Sequence, residues 1–169
     1  MAGITRVVLN TKRITAAYTR PANTTAYTSG DALSDSTTAP TALTFTNVGR
    51  GSGTAKGGTG VILSAQCVDS VATASQSLEL WVFSASPTAT NDNSAFAITD
   101  AEALNLVAVF PFTTWYASAN NQVSMADSFN KAFACVVGDS NLYGLAVVRG
   151  AITPSSGEIF TFALDVSQD

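Results

Sequence analysis

The segment IFTFALDV, residues 159–166, alternates large apolar side chains with smaller or polar ones, and this period of two constrains the fold more than any other feature. Phe160, Phe162, Leu164 and Val166 fall on one side, with Thr161, Ala163 and Asp165 on the other, which is a strand with one face turned to a core. The same period recurs over 61–68, which places Val61, Leu63, Ala65 and Cys67 on one face and Ile62, Ser64, Gln66 and Val68 on the other. In 78–83, Leu78, Leu80 and Val82 oppose Glu79, Trp81 and Phe83. Both faces are apolar from Leu80 onward, which predicts a strand covered on two sides in the middle of a sheet. Leu104 to Phe112 reads as a second covered strand as far as Pro111. Further strands are expected over Ile4–Leu9, Arg13–Thr19, Leu43–Val48, Phe129–Val137 and Leu142–Arg149, about eight or nine in all.

Between these runs the local signals are those of turns. Arg20-Pro21 forces extended backbone, and Ser29-Gly30-Asp31 marks a turn. Gly138 to Asn141 and Pro154 to Gly157 have the composition of hairpin connections. Pro87 ends the strand before it and opens a polar run from Thr88 to Ser94. Thr99-Asp100-Ala101-Glu102 then has the spacing of a capping box, which predicts one short helical turn near residues 99–104. The fold class is therefore all-β: a β-sandwich, jelly-roll-like, with two sheets stacked ~10 Å apart. A chain of 169 residues suits one domain. The expected division is an N-terminal arm with the first strands over residues 1–20 and a single β-sandwich domain over 21–169.

Several chemistries are poorly served by this composition. The chain has no histidine and two cysteines, Cys67 and Cys135, both within apolar strand patterns. Buried free thiols are expected there, and a zinc site lacks its usual ligand set. The glycine-rich stretch GRGSGTAKGGTG, residues 49–60, reads as a flexible connection. It is not a phosphate-binding loop, since Lys56 is followed by Gly57 where Ser or Thr is required. No base is present to activate a serine, and Asp100 and Glu102 fit the cap better than an acid–base pair. Asp92, Asn93 and Asp100 are hard oxygen ligands that a calcium ion could use. No cofactor and no enzymatic activity are expected.

Charge separates two parts of the chain. Residues 1–56 carry six basic residues against two acids, net +4, and residues 57–169 carry two against ten, net −8. The total of −4 makes nucleic acid a poor partner, and no apolar run approaches the ~18 residues of a membrane span. Arg6, Lys12, Arg13 and Arg20 are candidates for docking on an acidic protein surface, against the alternative of ordinary solvated side chains. Trp115-Tyr116 is a candidate interface anchor, with strand-edge packing and a sugar platform as the other readings. The N-terminal run MAGITRVVLNTKR is too weakly apolar for a signal peptide, so cytoplasmic synthesis without export is expected.

Two segments carry a resemblance. Arg20-Pro21-Ala22-Asn23-Thr24-Thr25-Ala26-Tyr27-Thr28-Ser29-Gly30-Asp31 resembles an RPxxTTAYxxGD segment of structural proteins of tailed bacteriophages. Residues 78–103, LELWVFSASPTATNDNSAFAITDAEA, resemble the strand–loop–DNxAFxxTDA segment of the same proteins. The resemblance implies a virion component, in the first place a capsid decoration (cement) protein on the capsid exterior. Its partners would be the major capsid protein and further copies of itself, a homotrimer suiting the local threefold positions of an icosahedral shell. The alternatives are a neck, tail or head-fibre component, and a carbohydrate-binding β-sandwich module.

Overall fold

The computed structural model describes residues 10–50, 57–72, 76–127 and 130–168. Among these residues the chain forms eleven strands and one short helix, and every strand pairing is antiparallel. The first sheet is built around β11 (Ile159–Gln168) and β4 (Thr59–Asp69), which lie side by side. β1 (Asn10–Thr19) pairs along its whole length with β11 and forms one edge. On the far side, β9 (Lys131–Ala134) pairs with the first half of β4, while β8 (Gln122–Ala126) and then β7 (Trp115–Ala117) extend from its second half. The second sheet runs β2 (Ala32–Leu33), β10 (Leu142–Val148), β5 (Leu78–Phe83), β6 (Leu106–Phe112), with β3 (Leu43–Phe45) beside β2 on β10. Residues 10–19 are thus an integral strand of the sandwich, and the expected strand over Ile4–Leu9 lies outside the described residues.

The core lies between the two sheets. Phe160, Phe162, Leu164 and Val166 are fully buried there, as the alternation in β11 predicts, and the Phe162 ring lies 6.0 Å from that of Phe112. Each such side chain contributes ~1.5–3 kcal/mol by leaving water. β5 sits between β10 and β6 with both faces covered. Leu78, Leu80 and Val82 face the core, while Phe83 is buried on the other face and Trp81 packs on Phe96 at 5.2 Å. Phe96 belongs to the long 84–99 loop, so that loop covers the outer face of the second sheet.

The helical turn forms where the spacing predicts it. In α1 (Asp100–Ala103) Thr99 Oγ1 accepts the Glu102 N–H at 3.2 Å, and Glu102 Oε2 accepts the Thr99 N–H at 2.7 Å. Glu102 Oε1 also accepts the Thr88 N–H at 2.6 Å, and these hydrogen bonds, those from Thr99 foremost, hold its carboxyl down at about 2. Leu104 caps the turn and is 89% exposed, so the next strand starts at Leu106.

Four expectations are corrected. β6 is an edge strand with one half-exposed face, which is why it tolerates the exposed Pro111. Leu63 is an extra residue in β4: Ser64 pairs with Asp165 and Ile62 with Val166, a β-bulge that reverses the facing of the strand. Ile62 therefore joins Ala65 and Cys67 in the core, and the single alternation expected over 61–68 breaks in two. The connections at 138–141 and 154–157 are not hairpins, because each carries the chain from one sheet to the other. A short glycine- and serine-rich turn serves a crossover as well as a hairpin when the sheets are stacked. The tight hairpin is β7–β8, closed by Ser118 N–H to Asn121 O at 2.8 Å. Both cysteines are buried free thiols, as expected.

The glycine-rich connection is only in part a loop. Residues 51–56 lie outside the described residues, but Gly49 and Gly58 pack backbone to backbone, and Gly60 is in β4. A Cβ added at Gly49 would stand 2.5 Å from the Gly58 carbonyl carbon. Gly49→Ala is expected to lower stability by roughly 1–3 kcal/mol in urea unfolding. An unchanged midpoint would mean that this approach is not kept in solution.

Candidate functional site

Two features stand out when the residues are placed: a buried polar network under one end of the sandwich, and an open face of the first sheet. The network starts from Arg20, the residue after β1. Its side chain and that of Asp92 are both 0% exposed, and Arg20 Nη2 donates to Asp92 Oδ2 at 3.1 Å. Tyr27 stands between them: Arg20 Nε donates to the Tyr27 hydroxyl, which donates to Asp92 Oδ1 at 2.5 Å. The guanidinium also lies over the Tyr27 ring, 4.7 Å from its centre. Asp92 Oδ1 accepts the Ser34 N–H at 3.0 Å, and Arg20 Nη1 reaches Ser155 O at 3.3 Å. Burial first, and the hydrogen bond to Asp92 second, push the Tyr27 hydroxyl far above its ordinary value. Tyr27 is therefore a permanent donor.

This network joins the two segments 20–31 and 84–99. Asn93 Nδ2 donates to Thr25 O and Ala26 O at 3.3 and 3.0 Å. Ala32 N–H donates to Ser94 O and Phe96 N–H to Gly30 O, with a β-bridge between Asp31 and Ala95. Asp92 is thus committed to Arg20, Tyr27 and Ser34, which removes it from the calcium ligand set considered above. Among the described residues no group of three or more Cys, Asp or Glu side chains is placed to hold a metal ion, and no ligand-sized pocket opens.

The open face belongs to the first sheet. Directly paired residues of a sheet point to the same side. The register lines up Ala17, Thr161, Val68, Val123 and Tyr116 across five strands, and beside them Thr15, Ala163, Gln66 and Met125. Tyr116 is 64% and Met125 52% exposed. These two rows carry no charge, and the next holds one pair: Arg13 Nε and Nη2 donate to the two oxygens of Asp165 at 2.8 and 2.7 Å. Asp165 also accepts from Ser64 Oγ at 2.9 Å. Hydrogen bonding to Arg13 outweighs partial burial and holds the Asp165 carboxyl below its ordinary value.

The candidate residues from the sequence are therefore scattered. Arg6 lies outside the described residues. Lys12 is exposed at the end of β1 and donates to Asn47 O at 3.4 Å. Arg13 is on the open face but neutralised. Arg20 is not a surface charge at all, because its ion pair and hydrogen bonds are buried. Trp115 is half-buried against the core, its Nε1–H donating to Gln76 O at 2.8 Å, so it is unavailable as a flat sugar platform. Tyr116 points outward, on the same face as Arg13 but at the opposite edge, roughly 19 Å across the sheet at the ordinary strand spacing and on the row of Ala17 instead of that of Arg13. Met125, Val123 and Val68 complete this face and were not singled out in the sequence. Their signal is the alternation of Val123 and Met125 with the buried Gln122 and Ser124. No protein-family model matches the chain, and no curated protein matches it.

Removing one partner of a buried ion pair strands the other charge. Asp92→Asn is expected to cost about 3–5 kcal/mol in urea unfolding, and the double replacement Arg20→Met with Asp92→Leu to recover most of that loss. Additive losses from the two single changes would show that the two groups do not depend on each other.

Proposed function

We propose that this chain is a structural protein of a tailed-bacteriophage virion, a decoration (cement) protein that attaches to the outer surface of the capsid through the open face of its first sheet. The observation that carries the reading is the asymmetry between the two sheets. The second sheet has its outer face covered by the chain's own 84–99 loop, while the first presents uncharged Thr, Ala, Val, Met and Tyr rows around a single neutralised ion pair. Apolar and hydroxyl-bearing surface of this kind marks a protein–protein contact. The resemblance adds the class of partner, and its two segments are those that dock on each other through Arg20, Tyr27, Asp92 and Asn93.

The action is mechanical. A sandwich seated across the joint between two capsid subunits buries further surface there and raises the work needed to part them. Copies in symmetric arrangement, a homotrimer at local threefold positions, would multiply that effect by avidity. Arg13 and Arg20 each have a carboxylate partner within the chain, which leaves Lys12 as the basic candidate among the described residues without one. Attachment through this face is therefore expected to respond weakly to salt.

The test is copurification with intact particles in a fixed ratio to the major capsid protein. The double variant Tyr116→Glu, Met125→Glu should lower occupancy on particles at least tenfold while leaving the thermal midpoint of the free protein unchanged. Full occupancy of that variant would exclude this face. Absence of the protein from purified particles would overturn the virion reading, and density away from the shell lattice would move it to the neck, tail or head fibre.

A further inference from the structure

A second buried polar cluster lies beside the Arg20 network. It contains two carboxyl groups, Asp69 at the end of β4 and Glu158 just before β11, which are 0% and 2% exposed. Asp69 is richly supplied with donors. Its Oδ2 accepts from Gln76 Nε2 at 2.7 Å and Gln122 Nε2 at 2.8 Å, and its Oδ1 accepts the Val71 N–H at 3.0 Å. Glu158 is not: Oε2 accepts the Ser155 N–H at 2.6 Å, while Oε1 is buried without any donor. Asp69 pairs with Phe160, two residues after Glu158, so the register brings the two buried carboxyl groups together at one end of the β4–β11 pair. Two acceptors facing each other in a dry site repel unless one carries a proton, and the donors already on Asp69 put that proton on Glu158.

We infer that Asp69 and Glu158 form a buried proton-binding site, in which Glu158 is a neutral acid donating to Asp69 and the bound proton holds one end of the sandwich together. The other charged and titratable groups around it, among the described residues, are Arg20, with Tyr27 and Asp92 behind it, and the buried Cys67 two residues before Asp69, whose thiol is pushed well up by burial and by Asp69. Arg20 donates its backbone N–H to Glu158 O at 2.9 Å and its guanidinium to Ser155 O, but its ion pair is with Asp92. The described residues of 70–77 and β8 contribute neutral donors, the Val71 N–H and the side-chain amides of Gln76 and Gln122. Burial and the neighbouring Asp69 push the Glu158 carboxyl up to about 7.

The linkage has a definite sign. Glu158 binds its proton more tightly in the folded chain than in the unfolded one, so its contribution to stability is complete below pH ~4.3 and is lost as pH rises to about 7. Across that window the unfolding equilibrium shifts toward the unfolded state by roughly 10²-fold. The loosened segments include the one that holds Trp115, since Gln76 accepts the indole N–H and donates to Asp69. The chain has no histidine, so no other side chain of ordinary value titrates between pH 5 and 8.

Glu158→Gln replaces the proton by an amide N–H that cannot titrate. Thermal unfolding from pH 5 to 8 should show the wild-type midpoint falling relative to that of Glu158→Gln. The amino terminus titrates in both proteins and cancels. Parallel profiles would overturn the inference. Should the variant not fold, carboxyl carbon NMR of the wild-type chain decides, because it has only three glutamates, Glu79, Glu102 and Glu158. One resonance titrating near pH 7 is expected, and three midpoints below pH 5 would overturn it.

Discussion

A guanidinium and a carboxylate with no exposure to water, Arg20 and Asp92, set the terms for much of this fold. Taking two charges into the interior is costly unless each donor and acceptor is met in good geometry. Arg20 meets Tyr27, Asp92, Ser155 and Asn23, and Asp92 meets Arg20, Tyr27 and the Ser34 amide. These partners come from four separate stretches of chain, so the pair is satisfied only when all four are in place. The buried charges therefore act as a specificity device. They add little net stability over apolar replacements, but they penalise every arrangement in which the 84–99 loop lies elsewhere.

What that loop does follows from where it is held. A sheet in a two-layer sandwich has one face on the core and one in water, and its sequence then alternates. β5 and β10 do not alternate: Phe83, Leu145 and Val147 are buried on the side away from the core. The Arg20–Asp92 clamp supplies their cover by placing Phe96 against Trp81. Among the described residues the first sheet has no comparable lid, and its outer rows carry Thr, Ala, Val, Gln, Met and Tyr beside the Arg13–Asp165 pair. The two sheets thus differ, one closed over by the chain itself and the other with its outer rows open among the described residues.

How much of this can be read from the residues depends on the distance over which the deciding contact acts. The β11 row and the Thr99–Glu102 capping box are local, and their patterns are complete within a few residues. The bulge at Leu63 is invisible in β4 alone, because it is defined by β11 passing one fewer residue past the same stretch. The turns at 138–141 and 154–157 have hairpin chemistry, yet the next strand belongs to the other sheet. Nothing in the turn records which sheet the chain will join. Arg20 looks like a surface charge because its partner is 72 residues away. Of the open face, the sequence marked Tyr116 and Arg13 alone. Val68, Val123 and Met125 become one surface once the register sets them side by side, and register is a property of pairs of strands.

The two buried clusters also explain why a sandwich so poor in charge holds several of its ionisable groups inside. Charge makes up 12% of the chain, yet Arg20, Asp69, Asp92 and Glu158 are buried at one end. That end is where three crossovers converge, the segment after β1, the β4–β5 connection and the β10–β11 connection, and where the 84–99 loop between β5 and β6 is held. Crossovers have few ladder hydrogen bonds, so their backbone groups need side-chain partners, and a carboxylate can accept several N–H bonds at once. Asp69, Asp92 and Glu158 together accept the Val71, Ser34 and Ser155 amides, one from each of three irregular segments. Ionisable groups are thus concentrated where regular β-structure cannot satisfy the chain. The open face is the complement of this arrangement, with its ladders complete and little charge on its surface.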